Sequence, residues 1–433
     1  MKVIVGDEFF SVKEGNPKKV VIDYSKVVNP HMVLVGPSGT GKTYNLRKII
    51  GAIKNHSSLV RFYILDVHGD IAVNGASTVK FSEITEYGLQ PLKLSPDPDF
   101  GGVRKRIRSF IKMLNHTSRK LGPKQESVLY NLLEELYQAR KFNPKDPRTW
   151  TEENGRRYPT LLDLKRWTEY KYKHMLFGAP SKALKAFDEL KRLNAQLQRK
   201  IKQSLKQKSG DIDAIKEQIQ QVKEKMKEAF AEGVDNLGTG YELDELIKYD
   251  SPDVVKSVLD RITLLESSGI FKDKTPPFDP KSQVWRYDVK ALSRDEQKMF
   301  LSVLAEDLFF EAKEKGEHPL PQMFLIVDEA SIFLQNADPE YILNIIAKEA
   351  RKFGFGLILA TQSLEHIPDD IIESSATKII LGVDEGKMDI TAKKLQVDKK
   401  RLKYIVPRHS ALVQVKEGGK QYSPFQNVIL NVH

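Results

Sequence analysis

The sequence lacks three features that would place it in familiar classes of protein. Its 433 residues include no cysteine, which excludes disulfide bonds and cysteine-ligated zinc. It contains no run of about 18 apolar residues, so we predict no membrane span. Residues 1–8 also lack the long apolar segment of a secretory signal. From these absences we expect a cytoplasmic protein.

The charge balance of the sequence is strongly basic. It has a formal net charge of +11, an isoelectric point near 9.3 and 40% apolar residues. That apolar content is enough for a sizeable core, and the length suits two or three domains. A basic balance favours a polyanionic partner, most simply nucleic acid, although ordinary solubilising charge would give the same total.

The most informative segment is residues 36–43, which read Gly-Pro-Ser-Gly-Thr-Gly-Lys-Thr and form a complete phosphate-loop motif. A short apolar run precedes it and helical apolar spacing follows it, which is the strand–loop–helix context that the motif requires. A glycine-rich turn with a chance lysine is the alternative. The predicted nucleotide-binding residues are Gly36, Pro37, Ser38, Gly39, Thr40, Gly41, Lys42, Thr43 and Tyr44.

Each part of this loop has a physical role in binding phosphate. The glycines allow a tight backbone that turns successive N–H groups toward phosphate oxygens. The N-terminus of the following helix adds its positive dipole end. Lys42 is predicted to reach the β- and γ-phosphates of ATP, and the Thr43 hydroxyl is predicted to bind Mg²⁺.

A second chemical motif follows an apolar strand at residues 324–327. Asp328 and Glu329 come directly after it, in the pattern known as Walker B. Asp328 is predicted to hold Mg²⁺, and Glu329 is predicted to polarise an attacking water. A base beside the metal-binding acid favours hydrolysis of ATP over transfer to another acceptor. A strand that ends in solvated acids is the alternative.

Two further residues are candidates for the same chemistry. Gln362 follows the strand at 357–360, where an amide can sense the γ-phosphate; a surface glutamine is the alternative. Arg351 lies shortly before that strand and is the candidate arginine finger for a neighbouring subunit, with Lys352 as second choice. An ordinary cationic helix end would have the same sequence.

The alternation of strand and helix patterns predicts an α/β fold with a mainly parallel sheet. Residues 1–30 are predicted to form a small β-rich segment, with strands at 3–5, 9–12 and 20–22. Residues 31–100 and 276–433 are predicted to form the core.

Residues 101–275 are predicted to form a helical insertion. Within it, residues 181–232 have apolar positions three and four apart on either side of a turn signal at 208–211, which predicts a long antiparallel helical hairpin. That hairpin is interpreted either as a solvated spacer arm or as a nucleic-acid contact. Arg104 to Arg108 form a basic cluster suited to phosphate contacts, or a solvated helix face.

Four blocks together resemble the HerA/FtsK superfamily of P-loop translocases. They are the phosphate loop, Leu-Asp-Val-His-Gly-Asp at 65–70, Leu-Ile-Val-Asp-Glu-Ala at 325–330, and the block from Arg351 to Ser363. The last is the most discriminating, and the order of the blocks also agrees. The chain departs from HerA proteins in its short segment before the loop, in Val67 where they have proline, and in its lysine-rich hairpin.

The resemblance implies a RecA-like P-loop core, a homo-oligomeric ring that is usually a hexamer, and ATP-driven movement of double-stranded DNA. It assigns Lys42 and Thr43 to phosphate and Mg²⁺, Asp328 and Glu329 to metal and base, Gln362 to the sensor and Arg351 to the finger. A nuclease partner is also implied. The alternatives are an ATPase of a conjugation or secretion machine, and an ATP-gated scaffold that recruits an effector enzyme in a defence complex.

Overall fold

The computed structural model describes residues 1–177, 182–204, 212–236, 248–335 and 341–430. The chain divides into two compact units, one of Met1–Lys120 with Ser268–His433, and one of Leu121–Ser267. The predicted turn at 208–211 lies outside the described residues.

All the strands among the described residues belong to the first unit. They are β1 (Lys2–Glu8), β2 (Lys19–Asp23), β3 (Met32–Val35), β4 (Arg61–Asp66), β5 (Ala76–Lys80), β6 (Val284–Asp288), β7 (His318–Val327), β8 (Phe353–Thr361), β9 (Thr377–Ile380), β10 (Ser410–Val415) and β11 (Gln426–Leu430). They form one sheet in the order β2-β1-β11-β10-β9-β3-β8-β7-β4-β6-β5. From β9 to β5 all pairings are parallel, and from β2 to β9 all are antiparallel.

The helices of the first unit lie between these strands. They are α1 (Phe9–Lys13), α2 (Lys42–His56), α3 (Val103–Asn115), α9 (Arg294–Glu314), α10 (Ser331–Leu334), α11 (Ile342–Glu349), α12 (Asp369–Ser374), α13 (Met388–Leu395) and α14 (Lys399–Lys403), with 3₁₀ turns at Ala350–Lys352 and Glu385–Lys387. The second unit contains α4 (Pro123–Ala139), α5 (Leu161–Phe177), α6 (Lys182–Ser204), α7 (Ile212–Asp235), α8 (Pro252–Ser267) and a 3₁₀ turn at Pro147–Thr149. Among the described helices, none is both long and apolar enough to cross a bilayer.

One part of the core of the first unit forms where α2 packs on the sheet. The buried side chains of α2 recur at one helical face, at Leu46, Ile49, Ile50 and Ile53. They pack with buried residues of the strands in one cluster. All nine residues of β8 are buried, as expected for a central strand of a parallel sheet. The prediction of an α/β fold with a mainly parallel sheet is therefore confirmed.

One predicted strand is wrong. Residues 9–12 belong to the short helix α1, because the Glu8 side chain accepts hydrogen bonds from the backbone N–H groups of Phe10 and Ser11, at 3.2 and 2.6 Å. Such a side-chain cap satisfies the donors at a helix start. The neighbouring strand β1 is not separate from the main sheet, since it pairs with β11.

In the second unit, α6 and α7 form a hairpin with a small core of its own. Leu193 and Leu197 of α6 are buried with Val222 and Ala229 of α7. Lys200 contacts Gln218, while Lys225 lies close to Glu189, so the two helices run antiparallel. The helical periodicity of the sequence predicted both helices.

Candidate nucleotide site

The phosphate loop connects the buried strand β3 to α2 through backbone that requires glycine. Gly39 and Gly41 have φ angles of +79° and +96°, which other residues adopt only with strain. A Cβ atom on residue 36 would collide with the Thr40 hydroxyl. The backbone N–H of Gly36 donates to Thr361 O at 3.0 Å, which fixes the start of the loop on β8.

Lys42 lies over this loop. Its Nζ donates to the carbonyl oxygens of Gly36 and Pro37, at 2.6 and 3.3 Å. Partial burial lowers the pKa of Lys42, while the carboxylates of Glu329 and Asp328 oppose that shift. The ammonium group therefore lies within the field of the acidic motif, although 286 positions separate Lys42 from Asp328 in the sequence.

The strand order explains how these segments meet. β8 lies between β3 and β7, and Val35 is in register with Thr361 while Val327 is in register with Leu359. Parallel strands carry their carboxyl ends to one edge of the sheet, where ligands of α/β proteins bind. The loop after β3, the acids after β7 and Gln362 after β8 are consequently neighbours.

Glu329 is buried and held at both carboxylate oxygens. Gln362 Nε2 donates to Oε2 at 3.0 Å, and Ser331 Oγ donates to Oε1 at 3.2 Å. The backbone of Glu329 has a φ of +51°, and the next N–H, of Ala330, donates to Ala360 O at 2.8 Å. Strained backbone of this kind persists where surrounding structure fixes it, and it concentrates at functional sites.

Asp328 lies in a cluster of three carboxylates. One carboxylate oxygen from each of Asp66, Asp70 and Asp328 lies within 4.8 Å of the others. Burial, and then the charge of Asp66, raise the pKa of Asp328 to about 6, against a lowering by His68. A divalent cation would relieve this repulsion, and carboxylate oxygens with the nearby Thr43 hydroxyl are the hard donors that Mg²⁺ prefers.

The Asp66 side chain already has hydrogen-bond partners that hold the loop after β4. Its oxygens accept from the backbone N–H groups of Gly69 and Ile71, at 2.7 and 2.9 Å, and from Arg286 Nε at 2.7 Å. These bonds set the loop after β4, which brings His68 and Asp70 to the site. From the sequence, the segment at 65–70 was identified only as one of the four resembling blocks, without a role in the site for His68 or Asp70.

These side chains surround one cavity of about 660 Å³. Its lining consists of Ser38, Gly39, Gly41, Lys42, Thr43, Tyr44, Asn45, His68, Asp70, Asp328, Glu329, Gln362 and Arg408. Of the predicted nucleotide-binding residues, Gly36, Pro37 and Thr40 do not line it. They shape the loop instead, since the Thr40 hydroxyl donates to Pro37 O at 2.8 Å.

Two lining residues have no sequence motif that marks them. Asn45 Nδ2 donates to Gly41 O at 2.9 Å, and Arg408 Nε donates to Gly39 O at 2.8 Å. Asn45 is on α2, one turn beyond Gly41, so a helical spacing could have indicated it. Arg408 precedes β10 and is far from the loop in sequence, so only the sheet order brings it here.

Arg351 lies outside this cavity. It is exposed on the 3₁₀ turn before β8, whereas Gln362 follows the end of the same strand. A nine-residue strand spans about 30 Å, so Arg351 lies where the parallel strands begin and Gln362 lies where they end, at opposite ends of the sheet. Arg351 instead lines a second cavity of about 640 Å³ with Lys352 and His318, and it lies close to His31.

The predicted basic cluster at 104–108 is not a uniform phosphate-binding surface. Arg106 is only 4% exposed and forms ion pairs with Glu306 and Asp307, at 3.1 and 2.8 Å. Arg104, Lys105 and Arg108 are exposed on α3. The interpretation as a phosphate contact is therefore wrong for Arg106, because its charge is already neutralised by these two carboxylates inside the fold.

The family described as helicase HerA, central domain, matches residues 11–308. The chain belongs to this family of P-loop ATPases. The resemblance inferred from the four sequence blocks is thereby confirmed. The match begins within the N-terminal segment and includes both the phosphate loop and the helical insertion.

Two curated relatives extend the comparison. The DNA double-strand break repair helicase HerA of Pyrococcus furiosus is 26% identical over 385 residues, which cover 84% of this chain and 58% of that protein. An uncharacterized protein of Aquifex aeolicus is 32% identical over 59 residues, 14% of this chain and 22% of that protein. The chain thus spans less than two thirds of the length of either relative.

Solved structures of similar fold cover the whole chain. VirB4 of Thermoanaerobacter pseudethanolicus has a TM-score of 0.66 at 14% identity, with 96% of its chain covered. The plasmid coupling protein TrwB, in complex with ADP and Mg²⁺, has a TM-score of 0.53 at 12% identity, with 94% covered. At such identities these similarities establish the fold, and they confirm the predicted P-loop architecture.

Proposed function

We propose that this chain is a Mg²⁺-dependent ATPase motor of the HerA/FtsK type that moves double-stranded DNA as a homo-oligomeric ring, most simply a hexamer. Family membership supports ATPase chemistry. The site geometry supports hydrolysis in particular, and the net charge of +11 suits a DNA substrate. The Pyrococcus furiosus relative is named as a DNA repair helicase.

The observation that carries this proposal is the contact between Glu329 and Gln362 beside Lys42. A carboxylate held by an amide on the neighbouring strand has a fixed orientation toward the cavity. A residue so placed is suited to accept a proton from a water that attacks the γ-phosphate. The neighbouring amide is suited to report whether that phosphate is present.

The other residues of the site are suited to bind the phosphates and the metal ion. Lys42 would leave its loop carbonyl partners to contact the β- and γ-phosphates, while the loop N–H groups bind the phosphate oxygens. Thr43 and Asp328 would hold Mg²⁺, with Asp70 close by. A cation held there would neutralise charge that builds up on the transferred phosphoryl group.

Arg351 acts in this proposal on a different subunit. Arg351 lies at the end of the sheet opposite the nucleotide cavity of its own chain. It is therefore suited to contribute only to the nucleotide site of a neighbouring subunit, which a ring would supply. A guanidinium there would stabilise charge in the transition state as an arginine finger.

A second candidate is an ATPase of a conjugation machine, favoured by the overall fold similarity to VirB4 and TrwB. A third is an ATP-gated scaffold of a defence complex that recruits an effector enzyme, whereas a nuclease is the partner expected for the motor. The motor and the conjugation ATPase both act on or beside DNA, whereas the scaffold would hydrolyse ATP without a response to DNA.

The test is the steady-state ATPase rate with Mg²⁺, measured with and without duplex DNA. We expect duplex DNA to raise the rate several-fold. Glu329→Gln should lower turnover at least a hundredfold while ATP binding persists, because the base is lost and the loop is kept. Lys42→Ala should lose ATP binding itself. An equal rate with and without DNA would contradict the motor, and full turnover of Glu329→Gln would contradict the hydrolytic site.

A further inference from the structure

We propose that Arg408 is a phosphate-binding residue of the nucleotide site, supplied by the turn before β10 to the phosphate loop of the same chain. This inference rests on the proposed ATPase function and adds a second cation to it. Arg408 belongs to none of the four family-like sequence blocks. Three observations support the assignment: its backbone conformation, its contact with the loop, and the charge of the cavity.

The backbone at Arg408 is held in an unfavourable conformation. Its φ angle is +68°, in the left-handed region that is unfavourable for residues with a Cβ. The surrounding turn is fixed by Ser410, whose Oγ accepts from Val406 N at 2.8 Å and whose N–H donates to Val406 O at 2.9 Å. His409 O accepts from Leu430 N at 2.8 Å, so β11 also holds the turn.

The strained turn directs the guanidinium onto the phosphate loop. Arg408 Nε donates to Gly39 O at 2.8 Å, and the side chain lies beside both Gly39 and Gly41. This bond uses one of the five N–H donors of the guanidinium, and the other four belong to the two terminal nitrogens. Arg408 is one of the residues that line the cavity, together with Lys42 and Thr43.

The charges around the cavity provide a reason for a second cation. Asp70, Asp328 and Glu329 bring three carboxylates to the lining, against the single ammonium of Lys42. A bound nucleoside triphosphate would add further negative charge. The planar fork of arginine matches pairs of phosphate oxygens, and such charge-assisted bonds are the stronger class of hydrogen bond.

A purely structural role makes different predictions from a binding role. If Arg408 only fixed the loop through Gly39 O, its loss would loosen the protein without nucleotide. If only the strained backbone mattered, glycine would serve as well as arginine, because glycine adopts a φ of +68° without cost. The variants Arg408→Gln, Arg408→Lys and Arg408→Gly separate these possibilities.

Lys403 provides a matched control. It is exposed on α14, five residues before Arg408, and does not line the cavity. Lys403→Gln therefore removes the same charge from the same segment without touching the loop. The measurements are the dissociation constants of a fluorescent ATP analogue and a fluorescent ADP analogue with Mg²⁺, at low and high salt, and the unfolding temperature without nucleotide.

We expect Arg408→Gln and Arg408→Gly each to weaken binding of the ATP analogue about tenfold, with a smaller loss at high salt. Arg408→Lys should recover part of the affinity, and Lys403→Gln should match wild type. Arg408→Gly should unfold at the wild-type temperature or above. Wild-type affinity in Arg408→Gln or in Arg408→Gly would overturn the inference.

The same titration separates this inference from the proposed function. If the wild-type protein fails to bind the ATP analogue at all, the ATPase proposal itself is wrong. If wild type binds it, Lys42→Ala does not, and Arg408→Gln binds as wild type does, only the role of Arg408 is refuted.

Discussion

Glu329 shows how much of this site is decided by single residues. A strained backbone, a buried carboxylate and two side-chain donors coincide at that position. The sequence could predict that Glu329 and Lys42 lie in one site, because both stand at fixed places in motifs whose spacing encodes geometry. It could not predict Arg408, since a lone arginine before a strand has no such pattern. Arg106 likewise resembled its exposed neighbours until its partners on α9 were known.

The buried amine of Lys378 gives a prediction about how the free energy of unfolding depends on pH. Lys378 of β9 is 4% exposed and donates to Ser375 O and Gln414 Oε1, at 2.8 and 3.1 Å. Burial, reinforced by Lys416, lowers the pKa of Lys378 from 10.5 to about 7. Between these values the unfolded chain binds more protons than the folded chain, so the free energy of unfolding should rise with pH.

From pH 7 to pH 9 this increase should be about 2 kcal/mol. Denaturant unfolding at several pH values measures it. Lys378→Met should remove most of the increase, because methionine has similar length and no titration. If the variant keeps the full pH dependence, the shift at Lys378 is not its source.

At the scale of elements, periodicity predicted the long helices and the central strands well. β7 and β8 carry long apolar runs, as strands buried on both faces require. The edge strand β5 was missed because three of its five residues, Ala-Ser-Thr-Val-Lys, are polar and only one side of it is paired. The strand β11, Gln-Asn-Val-Ile-Leu, follows a segment rich in turn residues, and nothing local marks its start.

The hairpin of α6 and α7 has a core made from its own side chains, which gives a prediction for that element. Leu193→Asp would bury a carboxylate among Leu197, Val222 and Ala229. We expect amide-exchange protection to collapse in α6 and α7, while β3 and β8 keep theirs.

Ala195→Asp is the matched control for the hairpin, since it adds the same charge at an exposed position of the same helix. It should leave protection unchanged in both helices. Equal loss of protection in the two variants would show that charge, and not burial in this cluster, accounts for the effect.

At the scale of the whole molecule, the site depends on sheet order. β8 separates β3 from β7, so one edge of the sheet receives the phosphate loop, the acids and the glutamine from three distant parts of the chain. The sequence indicated that these motifs belong together, but not which strand lies between them. Arg351 comes before β8 and Gln362 after it, so the length of that strand separates Arg351 from the cavity, and any role of Arg351 in hydrolysis depends on a second subunit.

The most direct measurement is a double-mutant cycle on kcat, with Glu329→Gln, Gln362→Ala and the double variant. Because Gln362 orients Glu329 through one hydrogen bond, the two side chains should act as a unit. We expect losses of at least a hundredfold for Glu329→Gln and about tenfold for Gln362→Ala, with the double variant within about threefold of Glu329→Gln. A double variant whose loss is the product of the single losses, or a Glu329→Gln variant with wild-type kcat, would contradict a single hydrolytic centre at this sheet edge.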